Sequence, residues 1–140
     1  MDSSRKILKK FWGHEAFRPG QEIIIDDLCA DKDVFALLPT GGGKSICYQV
    51  PGILKDGLTI VISPLISLMQ DQVEQLTKNG AKAAALYSGM SYREIDITLD
   101  NARFGSYDFL YLSPERLETQ IFIERFKAMK VSQIIIDEAH

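Results

Sequence analysis

The apolar positions of this 140-residue chain follow two rhythms. Continuous runs at 34–38, 58–62 and 109–112, and a further run at 131–137 that ends on Asp137, have the length and β-branched content of strands covered on both faces. A weaker, alanine-rich strand is expected at 81–87. Between the runs, apolar residues return every three or four positions, as on helices with one buried side. The first such segment carries Ile7, Leu8 and Phe11, and the second spans 19–30, with Pro19 near its first turn and Ile23, Ile24 and Leu28 on one side. A third opens at Gly43 and Lys44, carries Ile46, Cys47 and Val50 and continues awkwardly past Pro51, which should bend or end it. A fourth runs 63–78, with Ser63 as N-cap, Pro64 at its first position and a stop at Asn79 and Gly80. Ser91 and Glu94 form a capping box for a fifth that ends near Gly105, and Ser113, Pro114 and Glu115 open a sixth to about residue 128. Five strands with interposed helices predict right-handed crossovers, a parallel sheet and an α/β class with helices on both faces.

Two places in this pattern carry chemistry. After the first expected strand comes a turn, Thr40, Gly41, Gly42 and Gly43, followed by Lys44 and Ser45 at the start of a helix. Glycines let backbone N–H groups approach phosphate oxygens, the helix N-terminus adds positive dipole, Lys44 reaches the terminal phosphates and Ser45 offers a hydroxyl to Mg²⁺. The turn departs from the G-x-x-x-x-G-K-[ST] pattern at Leu38, where a glycine is usual. The last strand then delivers Asp137 and Glu138 to the sheet edge, one carboxylate suited to a metal shell and one to positioning water. Such a pair at the end of a buried strand is costly without a cation.

Composition narrows the picture without redirecting it. Hydrophobic residues make up 46% and charged residues 25%, which argues for a globular chain rather than a disordered one. Sixteen Lys and Arg against nineteen Asp and Glu give a formal charge of −3, so a strongly electrostatic grip on nucleic acid is not expected. The one basic cluster, Arg5, Lys6, Lys9 and Lys10, is expected to be a solvated helix face. Cys29 and Cys47 have neither the spacing nor the histidines of a zinc site and are expected as reduced, half-buried thiols. No apolar run reaches the ~20 residues that span a bilayer, and the N-terminus leads into no signal-peptide core. A cytoplasmic location, beside the nucleoid in a bacterium, and no membrane partner are the expectation.

Taken in order, Phe11 to Gln21 (Phe-Trp-Gly-His-Glu-Ala-Phe-Arg-Pro-Gly-Gln), the turn to Ser45, the segment Ser-Pro-Leu-Ile-Ser-Leu-Met-Gln-Asp-Gln-Val from Ser63, Tyr-Leu-Ser-Pro-Glu-Arg-Leu from Tyr111, and Asp137, Glu138, Ala139 and His140 resemble the successive motifs of the RecQ family of ATP-dependent DNA helicases. The resemblance implies a P-loop NTPase, RecA-like fold. It divides the chain, as a partial helicase ATP-binding domain over 1–140, into N-terminal helices with an adenine-recognition element (1–30) and the α/β core through the Asp-Glu-Ala-His box (31–140). It implies ATP and Mg²⁺ as cofactors. Gln21 becomes the bidentate amide partner of adenine, Arg18 a stacking or phosphate-side contact, and His14 stands where the family often has a stacking ring. Thr40, Gly41, Gly42, Gly43, Lys44 and Ser45 would hold the phosphates, and Ser45 and Asp137 the metal. Glu138 would orient or deprotonate the attacking water, and His140 would couple hydrolysis to DNA. Ser63, Ser67, Gln70, Asp71 and Arg116 would lie near the backbone of single-stranded or partly duplex DNA, where hydroxyls and amides hold phosphates without reading sequence.

The same resemblance sets an expectation of extent. The family's motor continues past the box with an aromatic-rich loop, a further strand and a second lobe that supplies arginine fingers. The sheet is therefore expected to be incomplete at its C-terminal end, and the chain alone to lack unwinding and to hydrolyse ATP slowly. A free sheet edge would invite association, and the oligomeric state stays open. Two other readings are a non-catalytic nucleotide- or DNA-binding module and an unrelated P-loop kinase or transporter subunit. The latter leaves the segment from Ser63 unexplained.

Overall fold

The computed structural model describes residues 2–36 and 43–137, in two compact units, Met1–Asp56 and Gly57–His140. The first unit is helical throughout its regular described parts: α1 (Asp2–Trp12), α2 (Gln21–Cys29) and α3 (Lys44–Leu54). Both α1 and α2 pack on α3, burying Leu8, Ile25, Cys47 and Val50. The basic side of α1 faces water as expected, with Arg5 bonded to Glu22 at 2.9 Å and Lys9 to Glu15 at 3.1 Å.

Three expectations for this unit need correction. The second helix starts at Gln21 rather than Pro19, because Gly20 adopts the left-handed conformation (φ 88°) that ends the preceding turn. Pro51 does not stop α3: the helix runs on to Leu54, and the Lys55 N–H reaches the Pro51 carbonyl at 2.8 Å. Proline's fixed φ suits a helix; only one N–H bond is forfeited, and glycine at position 52 adds no side-chain crowding. The run at 34–38 is not a strand where it is described. Val34, Phe35 and Ala36 are non-regular, and Phe35 is 81% exposed. A strand needs a neighbour for its N–H and C=O groups, and the described part of this unit contains none. Leu37 and Leu38 lie outside the described residues.

The second unit holds the sheet. Strands β1 (Leu58–Ile62), β2 (Ala83–Leu86), β3 (Phe109–Leu112) and β4 (Val131–Ile136) are all parallel and stand in the order β2-β3-β1-β4. The chain leaves β1 through α4 (Ile66–Lys78), crosses to β2, and returns through α5 (Tyr92–Arg103) to β3. It then passes through a 3₁₀ segment (Pro114–Glu118) and α6 (Gln120–Phe126) to β4. Because the step from β1 to β2 runs opposite to the two later steps, right-handed crossovers put α4 on one face and α5 and α6 on the other. The side chains agree. Leu58, Ile60, Leu86, Leu110 and Leu112 pack with Ile95, Leu99, Ala102 and Phe122 of α5 and α6, whereas the Tyr111 hydroxyl donates to Gln72 of α4 across the opposite face.

β3, with all four residues buried between two neighbours and two helix layers, is the centre of the unit. Four strands are seen among the described residues where five were expected. Helix α4 also starts two residues later than expected: Ser63 and Pro64 belong to the loop, and the Ser63 hydroxyl accepts from the Leu65 N–H at 3.4 Å. The sixth predicted helix is split at Thr119, whose hydroxyl donates to the Arg116 carbonyl at 2.7 Å. The capping box at Ser91 and Glu94 is present, with Ser91 Oγ accepting from the Glu94 N–H at 3.1 Å. In the ladder to β1, Val131 pairs with Leu58 and Gln133 with Thr59, so Ser132 is an extra, bulged residue. Among the described residues β4 has a neighbour on one side only, and its Ile134 and Ile136 are 53% and 65% exposed.

Candidate functional site

In the first unit the expected adenine element and the expected phosphate turn touch. The Arg18 N–H donates to Gln21 Oε1 at 2.8 Å, and the Gln21 N–H donates back to the Arg18 carbonyl at 3.1 Å, closing residues 18–21 into a small ring. From that ring Gln21 Nε2 reaches the Gly43 carbonyl at 2.9 Å. Gly43 caps α3 in the left-handed region (φ 79°), and its carbonyl also accepts from the Ile46 N–H at 3.2 Å. A Cβ at position 43 would lie 2.7 Å from Gln21 Nε2, so this approach requires glycine twice, for conformation and for space. Arg18 runs beside the same point, and Lys44 and Ser45 follow at once as the first two residues of α3.

Gln21 is buried at 3% exposure. Its amide oxygen and nitrogen each hold one protein partner, which leaves one lone pair and one N–H for a ligand. The base contact expected of it therefore comes from an amide already fixed in place. The Arg18 side chain runs beside Gly43, and His14 is exposed. Thr40, Gly41, Gly42, Glu138 and His140 lie outside the described residues.

In the second unit the polar residues line one edge of the sheet. The Ser113 N–H donates to the Leu86 carbonyl at 3.1 Å, the Ser63 N–H to Leu112 at 3.1 Å, and the Asp137 N–H to Ile62 at 2.9 Å. Each residue just past its strand is thus held by the last carbonyl of the next strand, giving a row of Ser113, Ser63 and Asp137. The loops after β1 and β3 leave this row toward opposite faces, the topology that opens a ligand crevice in parallel sheets.

The five expected DNA contacts separate into three situations. Ser67, Gln70 and Asp71 share one exposed face of α4, at helical spacing. Ser63 is 2% exposed, with its hydroxyl turned to Leu65, so it shapes the loop. Arg116 Nη2 donates to the Tyr87 carbonyl at 2.8 Å and ties the loop after β3 to the end of β2. A second tie runs alongside, from the Ser88 hydroxyl to Glu115 at 3.0 Å. The Glu115 carboxyl is held below its usual range by its own backbone N–H first and then by Ser88. Nothing in the local sequence signals the pair Ser88 and Glu115, which stand 27 positions apart.

The donors expected for Mg²⁺ are hard oxygens, a hydroxyl at Ser45 in the first turn of α3 and a half-buried carboxylate at Asp137 beyond β4, which suits that ion. Among the described residues no cluster of three or more His, Cys, Asp or Glu forms a metal site. Burial pushes the Cys47 thiol up to about 11, and burial also raises the exposed-side Cys29. Among the described residues no helix is long and apolar enough to cross a membrane.

Comparison with known proteins gives the family and the fold. Residues 18–140 match the family model described as DEAD/DEAH box helicase. The chain is 45% identical over its whole length to the probable ATP-dependent DNA helicase RecS of Bacillus subtilis, of which it spans 28%. It is 44% identical, over 96% of its length, to the ATP-dependent DNA helicase RecQ of Pasteurella multocida, of which it spans 21%. Among solved structures, that of a hypothetical ATP-dependent RNA helicase from Sulfolobus tokodaii superposes with a TM-score of 0.67 at 18% identity, covering 97% of this chain and 50% of the other, which supports the RecA-like fold. The phosphate turn and the acidic strand end both fall within the matched residues, and the chain belongs to the DEAD/DEAH box helicase family.

Proposed function

We propose that this chain is the ATP- and Mg²⁺-binding part of a RecQ-like DNA helicase that couples ATP hydrolysis to 3′-to-5′ unwinding. The observation that supports the reading is the Gln21 amide on the Gly43 carbonyl, 2.9 Å away, because it joins the residue expected to read the base to the last glycine before Lys44. Arg18 and Gln21 then form the base side of the site, and Gly43, Lys44 and Ser45 the phosphate side. Lys44 neutralises the terminal phosphates, and Glu138 orients the attacking water. Ser45 in the first unit and Asp137 in the second each offer a hard oxygen suited to Mg²⁺, which would supply charge to the phosphate oxygens. Identity of 44–45% to the RecQ and RecS helicases supports DNA as the partner and a cytoplasmic or nucleoid location. The exposed face of Ser67, Gln70 and Asp71 and the crevice between the loops after β1 and β3 offer hydroxyl, amide and backbone groups to a phosphate chain.

The 140-residue chain spans under a third of these relatives, and by itself it is expected to bind nucleotide, turn it over slowly and not unwind. The test is the affinity for a fluorescent ATP analogue with and without Mg²⁺, together with ATP turnover with and without single-stranded DNA. Each is measured on the parent chain and on Lys44→Ala. Magnesium-dependent binding that Lys44→Ala weakens by at least tenfold supports the reading. Binding indifferent to Lys44→Ala, or none at all, would refute it. Binding without DNA-stimulated turnover would favour a non-catalytic nucleotide-binding module.

A further inference from the structure

We infer that the basic side of α1 is a further contact for a nucleic-acid backbone, made by Lys6 and Lys10. This deepens the reading of DNA as the partner and rests on it. α1 carries four cations, Arg5, Lys6, Lys9 and Lys10, against one acidic residue, Asp2, a local excess that the chain's net charge of −3 conceals. Arg5 with Lys9, and Lys6 with Lys10, are like charges four residues apart. They share one side of the helix, about 6 Å apart along its axis, and repel. Arg5 is offset by Glu22 at 2.9 Å and Lys9 by Glu15 at 3.1 Å. Lys6 and Lys10 have no ion-pair partner among the described residues, and Lys10 rests on the Phe11 ring, 5.6 Å from its centre. The four cations and Glu15 line one cleft of about 370 Å³. An anion in that cleft would relieve a repulsion that the protein leaves uncompensated.

The surroundings select the kind of anion. Ser4 and Leu8, on the other side of α1, are buried, and that side is taken up by packing on α3. The helix therefore has no free apolar face to lay into a bilayer. Its exposed positions are Ser3, Arg5, Lys6, Lys9 and Lys10, with no aromatic or aliphatic anchor of the kind that carries a protein interface. A phosphodiester chain needs neither. Cations spaced along it hold it whatever its sequence, by releasing counterions.

The experiment is fluorescence anisotropy of labelled single-stranded and duplex DNA between about 50 and 200 mM salt. It compares the parent chain with two double variants, Lys6→Gln with Lys10→Gln, and Lys6→Arg with Lys10→Arg. Losing two phosphate contacts should flatten the slope of log affinity against log salt by about 1.4 for the single strand and about 1.8 for the duplex. The arginine variant should keep the parent slope, and all three chains should bind a fluorescent ATP analogue equally. A glutamine variant with the parent slope would overturn the contact while leaving DNA as the partner. A parent chain that binds no DNA would overturn both. Loss of ATP-analogue affinity in step with DNA affinity would also overturn the contact, since the change would then act through the fold. Tighter retention of the parent chain on vesicles of phosphatidylserine and phosphatidylcholine than on DNA would overturn the choice of partner. The nucleotide reading fails separately: ATP-analogue binding indifferent to Lys44→Ala, beside a flattened DNA slope in the glutamine variant, refutes that reading and keeps the contact.

Discussion

Replacing Gly43 by alanine should be considerably more harmful than replacing Gly20, although both glycines have positive φ, 79° and 88°, and both cap helices. At Gly20 a Cβ would meet nothing within 4 Å, so only the left-handed backbone is penalised, about 1–2 kcal/mol for an L-residue. At Gly43 the same strain applies, and the Cβ would lie 2.7 Å from Gln21 Nε2. The amide must move off, forfeiting a hydrogen bond worth about 1 kcal/mol and leaving buried polar atoms short of partners at about 1–3 kcal/mol. The expected losses are therefore about 1–2 kcal/mol for Gly20→Ala and about 3–6 kcal/mol for Gly43→Ala. Urea unfolding followed by helix ellipticity measures both, with the slope checked for constancy. The crowding part should vanish in a Gln21→Ala background, where Gly43→Ala should cost about as much as Gly20→Ala does alone. Equal losses for the two single variants, or no coupling between positions 21 and 43, would show that the amide does not stand where the structure puts it.

Other parts of the fold give independent checks. Arg125 bonds Asp96 at 2.5 Å and Asp100 at 2.7 Å and is 22% exposed, so Arg125→Ala should lower stability by about 1–2 kcal/mol in urea titrations. Arg103, 3.4 Å from Asp100 and more exposed, should lose under about 0.5 kcal/mol as alanine. Ser91→Ala removes the hydroxyl that accepts from the Glu94 N–H, leaves the Glu94 bond to the residue-91 N–H, and should cost about 1 kcal/mol, read in the same assay. Cys47, whose thiol is raised by burial from 9.0 to about 11, should resist a disulfide reagent at pH 8 while the exposed Cys29 reacts. Because the folded value is the higher one, Cys47 favours the folded state below pH 9 and withdraws that support as pH climbs toward about 11, which a pH series of melting temperatures on Cys47→Ala against the parent chain would detect.

Where a sequence pattern carried its own closing signal, the elements could be read directly. β1 and β3 are short continuous apolar runs between turn residues, and the structure buries them between two neighbours as that pattern requires. Ser91 with Glu94 set the start of α5, since both partners lie within four residues. The run at 34–38 looked the same as β1, but apolar character reports the wish to be covered, not the presence of a partner to pair with. Ser63 followed by Pro64 had the form of a helix start, and the serine hydroxyl instead serves Leu65 one turn too early. The site followed the same division. The positions of Lys44 and Ser45 at the start of α3 and of Asp137 at the end of β4 follow from local spacing, whereas Gln21 on Gly43, 22 residues apart, and Ser88 on Glu115 and Arg116 on Tyr87, 27 and 29 apart, depend on how helices and loops come together.

The unpaired Ser132 gives β4 a slip joint. Side chains alternate between the faces of a strand, so losing one residue from a regular ladder inverts everything beyond it. From Thr59 with Gln133 to Ile62 with Ile136 the ladder is regular, and Asp137 follows directly. Deleting any residue from 133 to 136 would swing the Asp137 carboxylate from the Val61 side of the sheet to the Ile60 side. Ser132 opposes no residue of β1, so its removal would close the ladder and keep the carboxylate in phase. One spare residue near the turn thus absorbs changes of chain length that would otherwise arrive at the acidic end of the strand.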